Sequence, residues 1–515
     1  MDHIIFLVAL VSVPLLALHY WRTREHDPKE PPLIFPRIPI IGHALGIIRH
    51  GVPYYTKHST LYPSQPVYTM DLLLNKSYIV NSPSLVAAVQ RNHRVISFDP
   101  FLTGAANRMA GITGPGLELL REEQNGGRGI NNKVLHSMHP ALLGTGLDRM
   151  NEKMIKFLKL SVDELATTHN VNTSFDLHAW CRHAITVAST DAVYGSINPY
   201  KEREVEDSLW TFESRLTPLL VNIMPSITSR KSFRARARLV AALVKYYEAR
   251  GHENSSELTY NRWKVQHDAG ATTEDIAKLE AAAGIGILSN TVPSTFWTLF
   301  DIYSRPSLLL ELREEIRQNG LVIEPDTGLH IVDLASIRDS CHLLVSSFQE
   351  TLRLRSNGAP TRVVCKDILL NDQWLLKEGS ILQMPAPTIN RQPVAWGDAT
   401  SDFNPRRFMK DTSQRDMKRA TAFMSFGASP NICPGRHFAS GEILALAAMM
   451  ILRYDIAPES GIWRPPMLNT KAMAASVTPP GEMFLVKVHE REEFKGDKWD
   501  FRVMEGRGKF SLVVG

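Results

Sequence analysis

Cys433 is the residue whose setting first suggests chemistry. It lies in FGASPNICPGRHFAS, Phe426 to Ser440, where glycines and prolines predict a tight irregular loop and the following residues recur at helical spacing. A cysteine just before a helix is expected to have a lowered pKa, because the helix dipole and the free backbone N–H groups stabilise a thiolate. A thiolate placed in this way could ligate iron axially and favour O–O cleavage.

Taken alone, Cys433 is also compatible with two ordinary roles. It could be a buried free cysteine in a turn, or a nucleophile served by one of the 18 histidines. Cys181, Cys341 and Cys365 lie far from it and from each other, without a C-x-x-C pair, which argues against a disulfide framework or a zinc ribbon. A reducing compartment fits this cysteine usage best.

Three features upstream of the cysteine bear on its role. FQETLRLRS puts Glu350 and Arg353 on one face of a helix, and FNPRRF places Arg407 in a loop from which its guanidinium could join them. An apolar helix predicted over residues 274–304, with a polar SNT at 289–291, is long enough to cross a domain. Each feature alone is compatible with a purely structural role: an exposed ion pair, a solvated arginine and a core helix.

Together and in this order, the four features resemble the cytochrome P-450 superfamily, and the resemblance extends over nearly the whole chain. It implies a mainly α fold with a smaller β region, a single catalytic domain and a heme (iron protoporphyrin IX) cofactor. It also implies that Cys433 is the axial ligand of the haem iron. Glu350, Arg353 and Arg407 would form the ion-pair network that supports the haem-binding core.

The cysteine loop departs at two positions from the superfamily pattern F-x-x-G-x-[RH]-x-C-x-G. Phe426, Cys433 and Gly435 match this pattern. Ser429 replaces the second glycine, and Asn431 replaces the basic residue that commonly reaches a haem propionate. The choice of propionate partner stays open among five basic residues: Arg436, Arg128, Lys133, His136 and His139.

The central helix also departs from the common pattern, in which an acid and a threonine relay protons to dioxygen. Ser289 and Asn290 stand at these positions, and LSNTVPSTFW resembles the branch of steroid 7-alpha-hydroxylases and prostacyclin synthase, with fungal natural-product relatives. Asn290 is expected to hold a water or an oxygen ligand over the iron, since an amide donates and accepts hydrogen bonds but releases no proton. Thr291, the other candidate catalytic residue, either lines the pocket or back-bonds to the helix, and Pro293 either opens the helix for a water or only kinks it.

Two catalytic hypotheses and one non-enzymatic hypothesis follow from the resemblance. In the first, a monooxygenase hydroxylates or further oxidises an apolar small molecule, such as a sterol, a terpenoid or another secondary metabolite. It uses dioxygen and NADPH electrons from a partner flavoprotein reductase. In the second, a haem-thiolate isomerase or dehydratase acts on an oxygenated substrate without external electrons. In the third, the haem serves binding or sensing without turnover.

Basic residues just before the cysteine loop could receive the reductase. The run from Met409 to Phe423 carries Lys410, Arg415, Lys418 and Arg419, which would steer an acidic flavoprotein, although such a run is commonly a solvated loop. Elsewhere the basic residues are scattered, and the net charge of +5 is small for 515 residues. No nucleic-acid partner is therefore expected.

The elements that must position these residues can be read from apolar spacing and from turn residues. Helices are predicted over residues 83–90, 131–169 and 200–250, and another from Pro306 to the QNG at 318–320. A hairpin is predicted around Asn75-Lys76, strands after Ser356, and a second hairpin in SVTPPGEMFLVKV. The middle of the chain is therefore mostly helical.

The N-terminus predicts membrane attachment. Residues 1–21 contain IIFLVALVSVPLLAL followed by Tyr20 and Trp21, which is typical of a single-pass transmembrane anchor. Arg22, Arg24 and Lys29 follow it, and this charge pattern indicates a cytosolic catalytic domain on the endoplasmic reticulum membrane. Residues 22–39 are predicted to be a proline-rich hinge, 40–490 the haem-thiolate domain, and 491–515 a charged tail without an arguable role.

Overall fold

Helices form most of the described chain, because apolar residues recur through it at intervals of three and four. The computed structural model describes residues 26–39, 41–72, 75–121, 130–168, 173–222, 224–409, 417–470, 472, 474–503, 510 and 512. Its α-helices are α1 (Gly42–His50), α2 (Val52–Leu61), α3 (Pro83–Arg91), α4 (Asp99–Ala105), α5 (Gly114–Arg121), α6 (Ile130–Leu142), α7 (Gly144–Thr168), α8 (Leu177–Tyr194), α9 (Arg203–Ser214), α10 (Leu216–Val221), α11 (Pro225–Thr228), α12 (Arg230–Glu248), α13 (Glu257–Asp268), α14 (Thr273–Leu288), α15 (Thr291–Tyr303), α16 (Pro306–Asn319), α17 (Leu334–Ser340), α18 (His342–Arg355), α19 (Ala386–Ile389), α20 (Pro393–Trp396), α21 (Met417–Ala420) and α22 (Arg436–Arg453). The architecture is mainly α with a smaller β region, as predicted.

The strands are short and form small sheets within the described residues. They are β1 (Leu33–Ile34), β2 (Val67–Asp71), β3 (Lys76–Val80), β4 (Ile96–Ser97), β5 (Phe175–Asp176), β6 (Leu321–Ile323), β7 (His330–Asp333), β8 (Thr361–Val364), β9 (Ile368–Leu370), β10 (Trp374–Leu376), β11 (Ile381–Gln383), β12 (Gly427–Ala428), β13 (Asn431–Ile432), β14 (Tyr454–Pro458), β15 (Leu485–Glu490) and β16 (Trp499–Arg502). The largest sheet has the order β1-β2-β3-β11-β8-β4. The predicted first hairpin is present as the antiparallel pair β2–β3, although Lys76 belongs to β3 and not to the turn.

The predicted central helix is present as two helices, α14 and α15, that are separated at Ser289 and Asn290. Thr272 caps the start of α14, since Asp275 N donates to Thr272 Oγ1 at 3.1 Å. The interruption has a local cause: Pro293 has no N–H to donate to the carbonyl of Ser289. Both linking residues keep right-handed backbone angles, so the chain continues in roughly the same direction.

The centre of the molecule is built around α15 and α22. Every residue of α15 is buried, and it packs against α8, α18 and α22. Almost every residue of α22 from His437 to Arg453 is buried as well. Both helices are apolar nearly all round, which is typical of buried helices in a large domain. The segment that follows Cys433 is therefore held by the core on all sides.

The N-terminal boundary of the domain lies upstream of residue 40. β1 pairs with β2 in parallel, and Leu375 N donates to the carbonyl of Lys29 at 2.9 Å. Glu30 is buried, with Lys76 Nζ at 2.6 Å and Tyr78 Oη at 2.7 Å from its carboxylate oxygens. The later half of the predicted hinge is thus part of the sheet. Its prolines did not prevent this, because a strand of two residues needs few backbone donors.

The predicted second hairpin in SVTPPGEMFLVKV is wrong. β15 pairs instead with β14 on one side and β5 on the other. Pro479 and Pro480 lack N–H groups, so the segment before β15 cannot form a ladder of its own. It makes only the isolated bridges Ser356↔Val477 and Leu468↔Pro480.

The C-terminal tail, for which no role was predicted, belongs to the fold where it is described. β16 pairs in parallel with β7 in the sheet β16-β7-β6. Trp499 and Phe501 of this strand are buried.

The predicted anchor at residues 1–21 lies outside the described residues. Within the ranges that are described, no helix combines the length and the apolar character needed to cross a bilayer.

Candidate functional site

Cys433 follows a tight hairpin that leads into α22. The strands β12 and β13 pair Gly427 with Ile432 and Ala428 with Asn431, and Cys433 N donates to the carbonyl of Phe426 at 2.8 Å. Gly427 has φ of +93°, and a Cβ there would lie 3.1 Å from the carbonyl oxygen of Asn431. Only glycine fits this position without strain, so the hairpin fixes where the cysteine emerges.

The environment of the thiol differs from the prediction in one respect. Cys433 is exposed on one side, while protein atoms crowd its other sides, and this burial raises the pKa of the thiol above its ordinary value. The backbone N–H groups of Gly435 and Arg436 at the start of α22, together with the charge of Arg436, act in the opposite direction. The helix start therefore has the predicted effect, but the predicted net lowering of the pKa was wrong.

The structure brings Glu350, Arg353 and Arg407 together in a buried cluster. Arg353 Nε and Nη2 donate to the two carboxylate oxygens of Glu350 at 2.7 Å and 2.9 Å, and Arg407 Nε donates to the same carboxylate at 3.0 Å. The side chains of Glu350 and Arg353 have no exposed surface. The remaining guanidinium N–H groups donate to backbone carbonyls. Arg353 donates to the carbonyls of Asn390 and Thr400, and Arg407 donates to those of Trp396 and Ala399.

Asn390, which sequence reasoning missed, connects this cluster to the cysteine hairpin. Its carbonyl accepts from Arg353 Nη1 at 2.9 Å, and its Oδ1 accepts from Met424 N at 2.8 Å. Its Nδ2 donates to the carbonyl of Arg353 at 3.1 Å and to Ser425 Oγ at 3.3 Å. Met424 and Ser425 come directly before Phe426, so the ion pair and the hairpin are mechanically linked. No local pattern in APTINR signalled this role.

One face of the second half of α14 is open, and Asn290 continues this face beyond the end of the helix. The residues on this face are Ala282, Ala283, Gly286, Ile287 and Asn290, which are exposed or half-buried. No atom lies within 4 Å of the position that a Cβ would take at Gly286. The other faces of α14 pack against α8, α9, α12 and α13. Residues at intervals of three and four therefore present small side chains and one amide to an open space.

The open face of α14 and the cysteine hairpin are joined by a short segment. At one end, Asn357 N donates to the carbonyl of Ser476, whose own N–H donates to Asn290 Oδ1 at 2.6 Å. At the other end, Arg362 Nη2 donates to the carbonyl of Ala428 at 2.7 Å. The five steps from Asn357 to Arg362 span at most about 18 Å. This short segment therefore keeps the two halves of the candidate site close to each other.

The hydrogen bonds of Asn290 and Thr291 define what each can offer. Asn290 Oδ1 accepts from Ser476 N at 2.6 Å and from Val477 N at 3.3 Å, which fixes the orientation of the amide and leaves Nδ2 as a donor. Thr291 Oγ1 donates to the carbonyl of Ile287 at 3.0 Å. Of the two alternatives for Thr291, the structure shows back-bonding to the helix.

Arg362 is a second residue that sequence reasoning missed. It is buried on β8 and donates to the carbonyls of Thr361 at 2.9 Å and Ala428 at 2.7 Å. It forms no ion pair with a carboxylate of the described residues. Burial lowers its pKa to about 10, against a weak opposing effect of Asp99. The signal was available in TRVV, since a charged residue in the middle of an apolar strand needs a partner.

The five basic residues suggested as propionate partners are less suitable than Arg362. Lys133, His136 and His139 are exposed on α6, and Arg128 lies outside the described residues. Arg436 Nη1 donates to the carbonyl of Cys433 at 3.0 Å. A buried guanidinium beside the cysteine hairpin is the group that would best meet the carboxylate of an iron macrocycle, so the residues present fit a haem.

The basic run before the cysteine loop is only partly described. Lys410, Arg415 and the side chain of Lys418 lie outside the described part. Arg419 is half-buried, donates to the carbonyl of Arg407 at 3.3 Å and lies over the ring of Trp396. It therefore contributes to packing rather than to a free basic surface.

Comparison with known proteins gives one consistent result. The family model described as Cytochrome P450 matches residues 31–486. Cytochrome P450 monooxygenase nodJ of Hypoxylon pulicicidum is 46% identical over 524 residues, which covers 100% of both chains. Cytochrome P450 7B1 of Mus musculus is 25% identical over 475 residues, which cover 87% of this chain and 89% of that protein. The 25-hydroxycholesterol 7-alpha-hydroxylase of Rattus norvegicus is 23% identical over 388 residues, which cover 72% of this chain and 90% of that protein.

Proposed function

Because the chain belongs to the cytochrome P450 family and is therefore an oxidoreductase of the monooxygenase class, we propose that it hydroxylates or further oxidises an apolar small molecule. The substrate would be a sterol, a terpenoid or another secondary metabolite, and the electrons would come from NADPH through a flavoprotein reductase. The observation that carries the proposal is the position of Cys433, which emerges from a rigid hairpin at the start of a buried helix and has one open side.

Three groups of this chain would hold the haem. Cys433 would ligate the iron through its sulfur, Arg362 would bind a propionate, and the Glu350 cluster would keep the hairpin in place through Asn390. When bound, the haem would supply the activation of dioxygen, and a thiolate ligand favours O–O cleavage. The substrate would occupy the open face of α14, whose small residues leave space for a broad apolar skeleton.

Asn290 would bind and orient an oxygen atom above this site. Its Oδ1 is occupied by two backbone N–H groups, so the amide can offer only the hydrogen atoms of Nδ2. An amide does not release a proton at neutral pH, and the hydroxyl hydrogen of Thr291 is held by the carbonyl of Ile287. Protons would therefore arrive through water, for which the carbonyl of Ser289, left without the N–H of Pro293, is an available acceptor.

The hydrogen bonds of Asn290 and Thr291 also support a second candidate function. Since neither Asn290 nor Thr291 supplies a proton, the site also suits an isomerase or a dehydratase that acts on an oxygenated substrate without external electrons. The names of the relatives favour the monooxygenase, and a sterol substrate is suggested by the name of the rat relative.

The first experiment tests the sulfur–iron bond. The reduced carbon monoxide complex of the wild-type protein should show the strongly red-shifted Soret band of thiolate ligation, and Cys433→Ser should lose it. Cys365→Ser, which removes the other exposed cysteine, is the matched control and should keep the band. A band that persists without the sulfur of residue 433 would rule out the proposed ligand.

The second experiment separates the two candidate reactions. Substrate consumption is measured with and without NADPH and reductase. Consumption that requires both supports the monooxygenase, and consumption that ignores both supports the isomerase or dehydratase.

We also propose that residues 1–21 anchor the protein in the endoplasmic reticulum membrane with the catalytic domain in the cytosol, since the apolar run and the arginines after it are typical of such an anchor. Expression without residues 1–21 should release the protein from microsomes into the supernatant. A truncated protein that stays with the membrane pellet would contradict this.

A further inference from the structure

The described C-terminal segment begins at the end of α22, the helix that follows Cys433. Arg491 N donates to the carbonyl of Arg453 at 2.8 Å, and Arg491 Nη1 donates to the carbonyl of Leu452 at 2.8 Å. Arg491 and the residues after it lie beyond residue 486, where the family match ends. The segment therefore lies outside the family match, and it starts by binding the last turn of α22.

The middle of the segment is fixed by a strand and by an ion pair. β16 pairs with β7 over four residues, from Trp499↔His330 to Arg502↔Asp333. Arg502 Nε donates to Asp333 Oδ2 at 2.5 Å, and the guanidinium of Arg453 lies over the ring of Trp499 at 5.5 Å. The strand contacts α7 and α17, which flank α22.

Phe510 binds the other end of α22. Its side chain is buried, and its N–H donates to His437 Nδ1 at 3.2 Å. Its ring lies 3.6 Å from the position that a Cβ would take at Gly441. A cavity of about 10 Å³ lined by Phe510 and Asn151 has room for about one water, so the ring packs closely.

The segment thus contacts both ends of the same helix. Arg453 and His437 are 16 residues apart, which corresponds to about 24 Å along the helix axis. His437 is four residues after Cys433, and Gly441 is one helical turn further on. A group that binds these positions restrains the first two turns of α22, which begin only three residues after Cys433.

We propose that Phe510 is a positioning residue for the Cys433 ligand: by packing on His437 and Gly441 it keeps the start of α22, and with it the sulfur, in place against the iron. This inference rests on the proposed function, because it requires haem-thiolate ligation. If Phe510 only stabilised the fold, its removal would weaken ligation only to the extent that it lowers global stability. The removal of another buried tail residue would then have a comparable effect.

The test compares two buried phenylalanines of the same tail. Phe510→Ala removes the contact with the start of α22, and Phe501→Ala removes a ring of similar burial on β16. For each haem-loaded protein, the rate at which the red-shifted Soret band of the reduced carbon monoxide complex is lost in mild urea is measured. Global unfolding under the same conditions is followed by far-ultraviolet circular dichroism.

Phe510→Ala should lose the band about tenfold faster than Phe501→Ala, which corresponds to about 1.4 kcal/mol, while helical structure is retained. Phe510→Leu keeps an apolar side chain and should be intermediate, which provides a readout if the alanine variant folds poorly. Equal rates in the two alanine variants, or loss of the band only together with helical structure, would overturn the inference alone. A wild-type protein without the band would overturn the proposed function, and this inference with it.

Discussion

Replacement of Glu350 by glutamine should destabilise the protein strongly, because it breaks a charge cluster that is largely buried. The carboxylate accepts four hydrogen bonds: two from Arg353, one from Arg407 and one from Asn404 N. Glutamine keeps one acceptor oxygen, but its N–H₂ group would face N–H donors of this cluster and could not accept their hydrogen bonds. Two guanidinium groups would then remain buried without a counter-charge.

The magnitude follows from burial. Breaking a buried ion pair by removing one partner costs about 3–5 kcal/mol, since the remaining charge cannot be solvated. Domains are stable by only about 5–15 kcal/mol, so this loss is a large fraction of the total. The two arginines also hold backbone carbonyls, and we therefore expect the upper part of the range.

The chain contains a matched control. Glu118 and Arg121 form an ion pair with the same spacing of three residues and a distance of 2.8 Å, but their side chains are 63% and 54% exposed. Glu118→Gln should cost at most about 1 kcal/mol, because exposed pairs contribute little. Urea unfolding of haem-loaded proteins, followed by circular dichroism and by the Soret band, compares the two variants with the wild type.

Arg353→Lys separates charge from geometry. Lysine retains the positive charge but cannot make the bidentate contact with Glu350, so most of the destabilisation should remain. If Glu350→Gln and Glu118→Gln lowered the unfolding midpoint equally, the reasoning about the buried cluster would be refuted.

Two further predictions concern Asn290 and Glu442. Asn290→Asp retains an acceptor for Ser476 N but loses the Nδ2 donors, so turnover should fall about tenfold at nearly unchanged stability. Asn290→Leu should lower both turnover and stability. Equal turnover in Asn290→Asp and wild type would refute the donor role. Burial raises the pKa of Glu442 to about 8 from its ordinary 4.5, against the opposing effect of the hydrogen bond from Ser189. The folded state therefore favours the neutral acid, and the stability of the protein falls as the pH rises between these two values. Glu442→Gln should match the wild type below about pH 4.5 and exceed it by about 4 kcal/mol at pH 8 in urea unfolding. A difference independent of pH would contradict this.

Much of the site could be predicted because its information is local. The loop residues around Cys433, the spacing of Glu350 and Arg353, and the arginine of FNPRRF are short patterns, and the structure places these side chains where the patterns indicated. The break in the central helix also has a local cause, the missing N–H of Pro293.

The remaining features depend on contacts between distant parts of the chain. Asn290 is bound by backbone N–H groups 186 and 187 residues away, and this contact decides that the amide offers donors and not an acceptor. The pKa of Cys433 was predicted in the wrong direction because the local helix effect could be read from sequence and the burial could not. The pairing of β15 and the place of the tail depend on β14 and β7 in the same way.

The fixed position of Lys29 and Glu30 in the sheet sets the length of a tether. If an anchor ends at residue 21, eight residue steps lead from the lipid to Lys29, which corresponds to at most about 28 Å of extended chain. Such a tether would keep the β1–β2 edge of the sheet within that distance of the bilayer. The orientation of the domain relative to the membrane would then be restrained by the contacts of Glu30 with Lys76 and Tyr78, which hold this part of the chain on the sheet.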